Sequence, residues 1–238
     1  MVICIVPTTV FAEDARYGVW ILGEEITSSR KISQKEGWEF DPNTYTLNLR
    51  NFQMGTIGTK ISALFDKYSL FGLIYVDTGE QDLTIRLEGK ESYLGDEEFP
   101  NENCTKYKEA YYGIYAPSTN LTITGEHWTK LKIYTHENAI ECKNLTIKDS
   151  VTVEGVSQGT CIYACGDITI DGMGTIVNAR TTDIIKGQAA VSTRGKLYVG
   201  ERSRLITCSV AKSSSWERVG FFTTFPIPTI SPPSMWRA

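Results

Sequence analysis

Apolar and polar residues alternate in short bursts along most of this chain. Six bursts share one form, an apolar–polar–apolar triplet. They are Leu47-Asn48-Leu49, Leu83-Thr84-Ile85, Leu121-Thr122-Ile123, Leu145-Thr146-Ile147, Ile168-Thr169-Ile170 and Leu197-Tyr198-Val199. A period of two residues is that of a strand with one buried face. The triplets start 36, 38, 24, 23 and 29 residues apart. The shortest intervals define the unit, and the longer ones carry insertions.

The residues before each triplet recur as well. Phe71-Gly72-Leu73-Ile74-Tyr75, Tyr112-Gly113-Ile114-Tyr115-Ala116, Ala139-Ile140-Glu141-Cys142, Cys161-Ile162-Tyr163-Ala164-Cys165 and Ala189-Ala190-Val191-Ser192 occupy this place. A turn and a further alternation follow, as in Leu131-Lys132-Ile133, Val151-Thr152-Val153 and Leu205-Ile206-Thr207. Each unit therefore holds about three short strands joined by turns rich in Gly, Asn and Asp. No window sustains helical periodicity, so helices should be few. A leucine-rich repeat would need L-x-x-L-x-L-x-x-N and one strand per unit. A parallel β-helix fits better, because stacked units bury together what one cannot bury alone. The expected fold is all-β, a single-stranded parallel β-helix of about five to six coils.

Triplet alignment sets Cys142 and Cys165 each three residues before a triplet. That spacing predicts both on one inward column, one coil apart. They are either two buried thiols or a bridge, since neighbouring coils lie within disulfide reach. Cys161 and Cys165 are spaced C-x3-C with no partner pair at zinc-finger spacing, so structural zinc is not indicated.

The formal net charge is −4, with acids and bases interspersed. Nucleic acid is not an expected partner, because the phosphate backbone calls for a concentrated basic surface. Residues 1–12 carry no charge and end in Val10-Phe11-Ala12. They read as the back half of a secretory signal peptide, with an apolar first strand as the alternative. No later apolar run is long enough to span a membrane. The domain expectation is a signal remnant over 1–12, a β-helix over 13–208 and a tail over 209–238. That tail holds Pro226, Pro228, Pro232 and Pro233 and should be loose or a truncated further module.

Chemistry is sparse. No nucleophile, zinc-protease, phosphate-loop, dinucleotide or EF-hand motif is present. His127 and His136 flank one strand, and Asp149 and Asp171 sit beside turns, where such residues are ordinary. The sequons at Asn103, Asn120 and Asn144 look like products of strand composition. No catalytic residue is assigned. The insertion over residues 88–112 is more suggestive, with seven acids, three lysines and several aromatics. Long loops on rigid scaffolds often carry binding. Tyr93, Tyr107, Tyr111 and, outside the insertion, Trp128 could stack on sugar rings. Asp96, Glu97 and Glu98 could bond hydroxyls or hold calcium, and no other cofactor is expected. The alternative is a solvated loop.

Tyr17-Gly18-Val19-Trp20-Ile21, Trp38-Glu39-Phe40-Asp41-Pro42 and Thr46-Leu47-Asn48-Leu49, followed by Tyr112-Gly113-Ile114-Tyr115 and Leu121-Thr122-Ile123-Thr124-Gly125, resemble a family of secreted surface proteins of gut Firmicutes. Its members are described as hypothetical or carbohydrate-binding-domain-containing. The resemblance spans roughly residues 17–207. It implies a right-handed parallel β-helix, a signal peptide and display at the cell surface. The function expected is a secreted or surface module, not an enzyme, that contacts carbohydrate or host material. A structural spacer of a larger adhesin and a polysaccharide lyase or hydrolase are the alternatives.

Overall fold

The computed structural model describes residues 14–53, 72–79, 81–95, 112–126, 128–182, 189–213, 216–219 and 222–223. Among them the chain is all-β, with no helix. It opens with the hairpin β1 (Arg16–Ile21) and β2 (Glu24–Thr27). Next come β3 (Ile32–Ser33), β4 (Trp38–Asp41) and β5 (Thr46–Arg50), paired antiparallel in sequence.

Five rounds of three strands follow. They are β6 (Gly72–Val76), β7 (Leu83–Glu88) and β8 (Glu91–Gly95); β9 (Tyr112–Ala116), β10 (Leu121–Gly125) and β11 (Lys130–Thr135); β12 (Ile140–Cys142), β13 (Leu145–Ile147) and β14 (Thr152–Ser157); β15 (Ile162–Ala164), β16 (Ile168–Ile170) and β17 (Ile176–Thr181); then β18 (Val191–Thr193), β19 (Leu197–Val199) and β20 (Arg204–Ser213). Two strands, β21 (Trp216–Val219) and β22 (Phe222–Thr223), then pair antiparallel with β20.

The strands sort into three mostly parallel sheets. The first holds β2, β1, β6, β9, β12, β15 and β18; the second β3, β4, β5, β7, β10, β13, β16 and β19; the third β8, β11, β14, β17, β20 and β21, each in that order. Every round thus gives one strand to each sheet. In the second sheet, Leu121 pairs with Leu83 and Leu145, and Leu145 with Ile168. Ile85, Ile123, Ile147 and Ile170 form the companion column, each at most 1% exposed. Alternation sends Thr84, Thr122, Thr146 and Thr169 outward in register, where threonines pair favourably. The first triplet is offset: Leu47 pairs with Ile85 rather than Leu83. A two-residue slip preserves which side chains face in, and a one-residue slip would not.

Close approach selects glycine at several places, Gly95 and Gly155 among them. Gly95 has φ of +90°, and a Cβ there would strike the Tyr134 carbonyl. A Cβ on Gly155 would strike the Cys161 sulfur.

The corner between the first and second sheets carries a polar column. Asn120 donates to Asp82 at 2.8 Å, and Asn144 donates to Asn120 at 2.6 Å. The Asp167 amide donates to Asn144 at 2.7 Å, and the Lys196 amide to Asp167 at 2.7 Å. Two of the three sequons are therefore members of a side-chain ladder that joins successive turns.

The cysteine alignment is corrected by register. Cys142 pairs with Ala164, not Cys165, because the turn after β15 has one residue more than the turn after β12. Cys142 is buried and Cys165 exposed, and both are free thiols. At the other end, β20 runs through the expected boundary at residue 208 to Ser213. The signal segment at 1–12 and the four tail prolines lie outside the described residues. Among the described residues, no helix is long and apolar enough to cross a membrane.

Ile147 is fully buried in the middle of its column. Ile147→Ala should therefore cost about 2–5 kcal/mol, whereas Thr146→Ala on the outer face should cost less than about 1 kcal/mol. Chemical denaturation of the two variants checks the contrast.

Candidate functional site

The outer faces of the three sheets differ in chemistry. Along the first sheet, Trp20 pairs with Tyr75, Tyr75 with Tyr115, Tyr115 with Glu141, Glu141 with Tyr163 and Tyr163 with Ser192. The strand period turns all six outward. They form one half-buried row that crosses six strands. The Trp20 and Tyr75 rings are 4.9 Å apart, and those of Tyr75 and Tyr115 are stacked at 6.1 Å with 19° between planes. Tyr112 broadens the row, its ring 4.5 Å from Tyr115.

Glu141 is the one acid in this row. The Asn138 amide donates to its carboxylate at 2.7 Å. Burial raises the Glu141 pKa, and the nearby Glu137 charge pushes the same way against the Asn138 hydrogen bond. Burial likewise moves the Tyr112 hydroxyl up to about 12, helped by Glu141 and Glu137. Tyr115 shifts upward for the same first reason.

The third sheet is built differently. Its outward residues pair with one another across rungs. Lys130 lies 3.1 Å from Glu154, and Lys132 lies 3.3 Å from Glu91. Tyr93 belongs to this network: its hydroxyl donates to Glu91 and accepts from Lys132 at 3.1 Å. The Lys132 ammonium also stands 4.8 Å from the Tyr93 ring centre. Glu91 is held below the ordinary carboxylate range, first by the Tyr93 hydroxyl and then by Lys132. These charges neutralise each other, so Tyr93 has its polar tip already engaged.

Trp128 stands apart from both. It occupies the turn between β10 and β11, 72% exposed, with φ of 66°. Left-handed backbone is rare for so bulky a residue. Its ring lies near Gly174, in the turn between β16 and β17 two rounds on. The other candidates from the 88–112 insertion, Asp96, Glu97, Glu98, Tyr107 and Tyr111, lie outside the described residues, as does His127. His136 follows β11 in a turn, where burial lowers its pKa. Asp149 accepts from the Thr124 hydroxyl at 2.7 Å, in keeping with a turn role. Among the described residues, no group of three or more His, Cys, Asp or Glu side chains could hold a metal ion.

The first-sheet row escaped the sequence reading, although its signal was present. In four of the five pre-triplet segments the residue after an inward isoleucine is Tyr75, Tyr115, Glu141 or Tyr163. Aligning those segments by their outward position would have exposed the row.

No family model, no curated protein and no solved structure matches this chain.

Two measurements test the site's chemistry. Burial raises the Cys142 thiol and moves Cys161 up to about 12. In the native protein, iodoacetamide at pH 8 should label Cys165 promptly and reach Cys142 and Cys161 only after unfolding, as read by peptide mass mapping. The second test concerns Glu141. Its raised pKa means the folded state holds this proton more tightly than the unfolded chain does. Stability from this group therefore falls as pH rises from the unfolded value, about 4.3, through the folded one. Glu141→Gln should melt above the parent at pH 7, and the gap should close near pH 4.

Proposed function

We propose that this chain is a right-handed parallel β-helix module, secreted or displayed on the surface of a bacterium, that binds glycans without turning them over. Three facts support the β-helix reading. The rounds visit the three sheets in a fixed order, equivalent residues pair in register, and parallel crossovers are right-handed in nearly all proteins. The charge-free apolar segment at 1–12 supports export. The resemblance to Firmicutes surface proteins supports both.

The observation that carries the binding reading is the outward row of Trp20, Tyr75, Tyr115 and Tyr163 on the first sheet. Large aromatic groups half-exposed on a rigid sheet offer contact area at low entropic cost. Polar groups beside them, Asn138, Glu141 and Ser192, suit a hydroxyl-rich ligand. A row that crosses six strands has the linear form of an oligosaccharide. Trp128, exposed at another corner, is a second contact of the same kind.

A glycan array probed with the full chain should give specific signals. Tyr75→Ala together with Tyr115→Ala should weaken the best ligand at least about tenfold, since each stacked aromatic contributes on the order of 1 kcal/mol or more. Loss of binding with Lys132→Ala but not with the tyrosine pair would move the site to the third sheet. Absence of any glycan signal from folded protein would defeat the reading and leave a spacer role.

A glycoside hydrolase is the second reading, favoured by the raised Glu141 pKa next to Glu137. Hydrolysis uses two carboxyl groups flanking the scissile bond. Incubating bound oligosaccharides with the protein and measuring new reducing ends separates the two, and none should form.

A further inference from the structure

We infer that the aromatic row of the first sheet is selective for an amine-bearing sugar, a glucosamine-type unit whose ammonium sits against Glu141 between Tyr115 and Tyr163. The inference rests on the glycan reading of that row and names the ligand's chemistry.

Several outward strand carboxylates on this protein have cations beside them. Glu24 meets Arg30 at 2.7 Å, Glu25 meets Arg16 at 3.4 Å, Glu91 meets Lys132 at 3.3 Å and Glu154 meets Lys130 at 3.1 Å. Glu88 and Glu126 pair with Arg50 and Arg86. Glu141 is different. Among the described residues no lysine or arginine pairs with it, and its one hydrogen-bond donor is the neutral Asn138 amide. A half-buried carboxylate without a counter-charge weakens the fold. Glu137, three residues before β12, adds negative potential in the same place.

The neighbours of Glu141 are tyrosines on both adjacent strands, Tyr115 and Tyr163, with Tyr112 against Tyr115. Ring faces attract cations through their quadrupole, and more strongly where water is thinned. The upward shifts of Glu141, Tyr112 and Tyr115 all have burial as their first cause, which marks this stretch as partly desolvated. Calcium is a poor fit to such a setting. It takes six to eight oxygen ligands, and the surroundings here are aromatic. An organic ammonium needs one or two carboxylates and aromatic walls. A sugar amine brings that charge on a ring whose apolar face can lie along the same row.

The test titrates the full chain calorimetrically with chitosan oligosaccharides, which carry free amines, and with fully N-acetylated chito-oligosaccharides of the same length. The amine form should bind about tenfold more tightly, a ratio in keeping with one desolvated cation–π and carboxylate contact. That advantage should shrink as sodium chloride is raised from about 0.05 to 0.5 M. Glu141→Gln keeps the shape and the acceptor for Asn138 but removes the charge, so it should bring the two ligands to equal affinity. Glu137→Gln should narrow the ratio part of the way. Equal affinities in the parent protein overturn the inference, as does a preference that survives Glu141→Gln. Binding of neither oligosaccharide overturns it too. In that case binding of other glycans through Tyr75 and Tyr115 would keep the wider reading, and no glycan binding at all would remove both.

Discussion

Register between successive rungs is the constraint on which everything else depends. A strand in this protein has no independent reason to stay flat or to face one way. It is held by a neighbour whose equivalent residue lies one strand spacing away, about 4.8 Å. Ile123 faces in because Ile85 and Ile147 do, and Thr122 faces out for the same reason. At the corner between the first two sheets, the Asp82–Asn120–Asn144–Asp167 column enforces the same register with hydrogen bonds instead of packing. Apolar burial supplies the driving force, but it tolerates sliding. Directional bonds in the turns remove that tolerance.

Once register is imposed, outward positions become rows as well, and their chemistry diverges. The third sheet resolves its row by alternating charge, with Lys130 and Lys132 set between Glu91 and Glu154. Such a surface is complete by itself. The first sheet sets four large aromatics in line and breaks them with one acid that has no counter-charge among the described residues. It is stable enough to exist and remains unbalanced.

Most of the second sheet was legible in the sequence, because its strands are strict triplets with buried ends. Leu121, Leu145 and Ile168 align as their spacing says. Legibility failed where turn length changes between rounds. The extra residue after β15 moves Cys165 off the column of Cys142, and no local pattern announces which turn holds the addition. The offset of Leu47 by two residues is of the same kind. The aromatic row failed for another reason. Inward periodicity draws attention to buried positions, whereas an outer face is written in the alternate ones. Of the aromatics the sequence singles out, Tyr93 is tied into the charge network and Trp128 stands at a corner by itself.

The order in which strands pair also bears on how the chain reaches this shape. Antiparallel partners at the amino end, β1 with β2 and β3 through β5, are joined by short connections and close over small loops. Parallel rungs come later and close over longer ones, which makes them entropically slower. A polypeptide leaves the ribosome amino end first. The quick-forming part thus emerges before the slow part and offers it a ready edge. Growth of the stack is then vectorial, each new turn templated by the last.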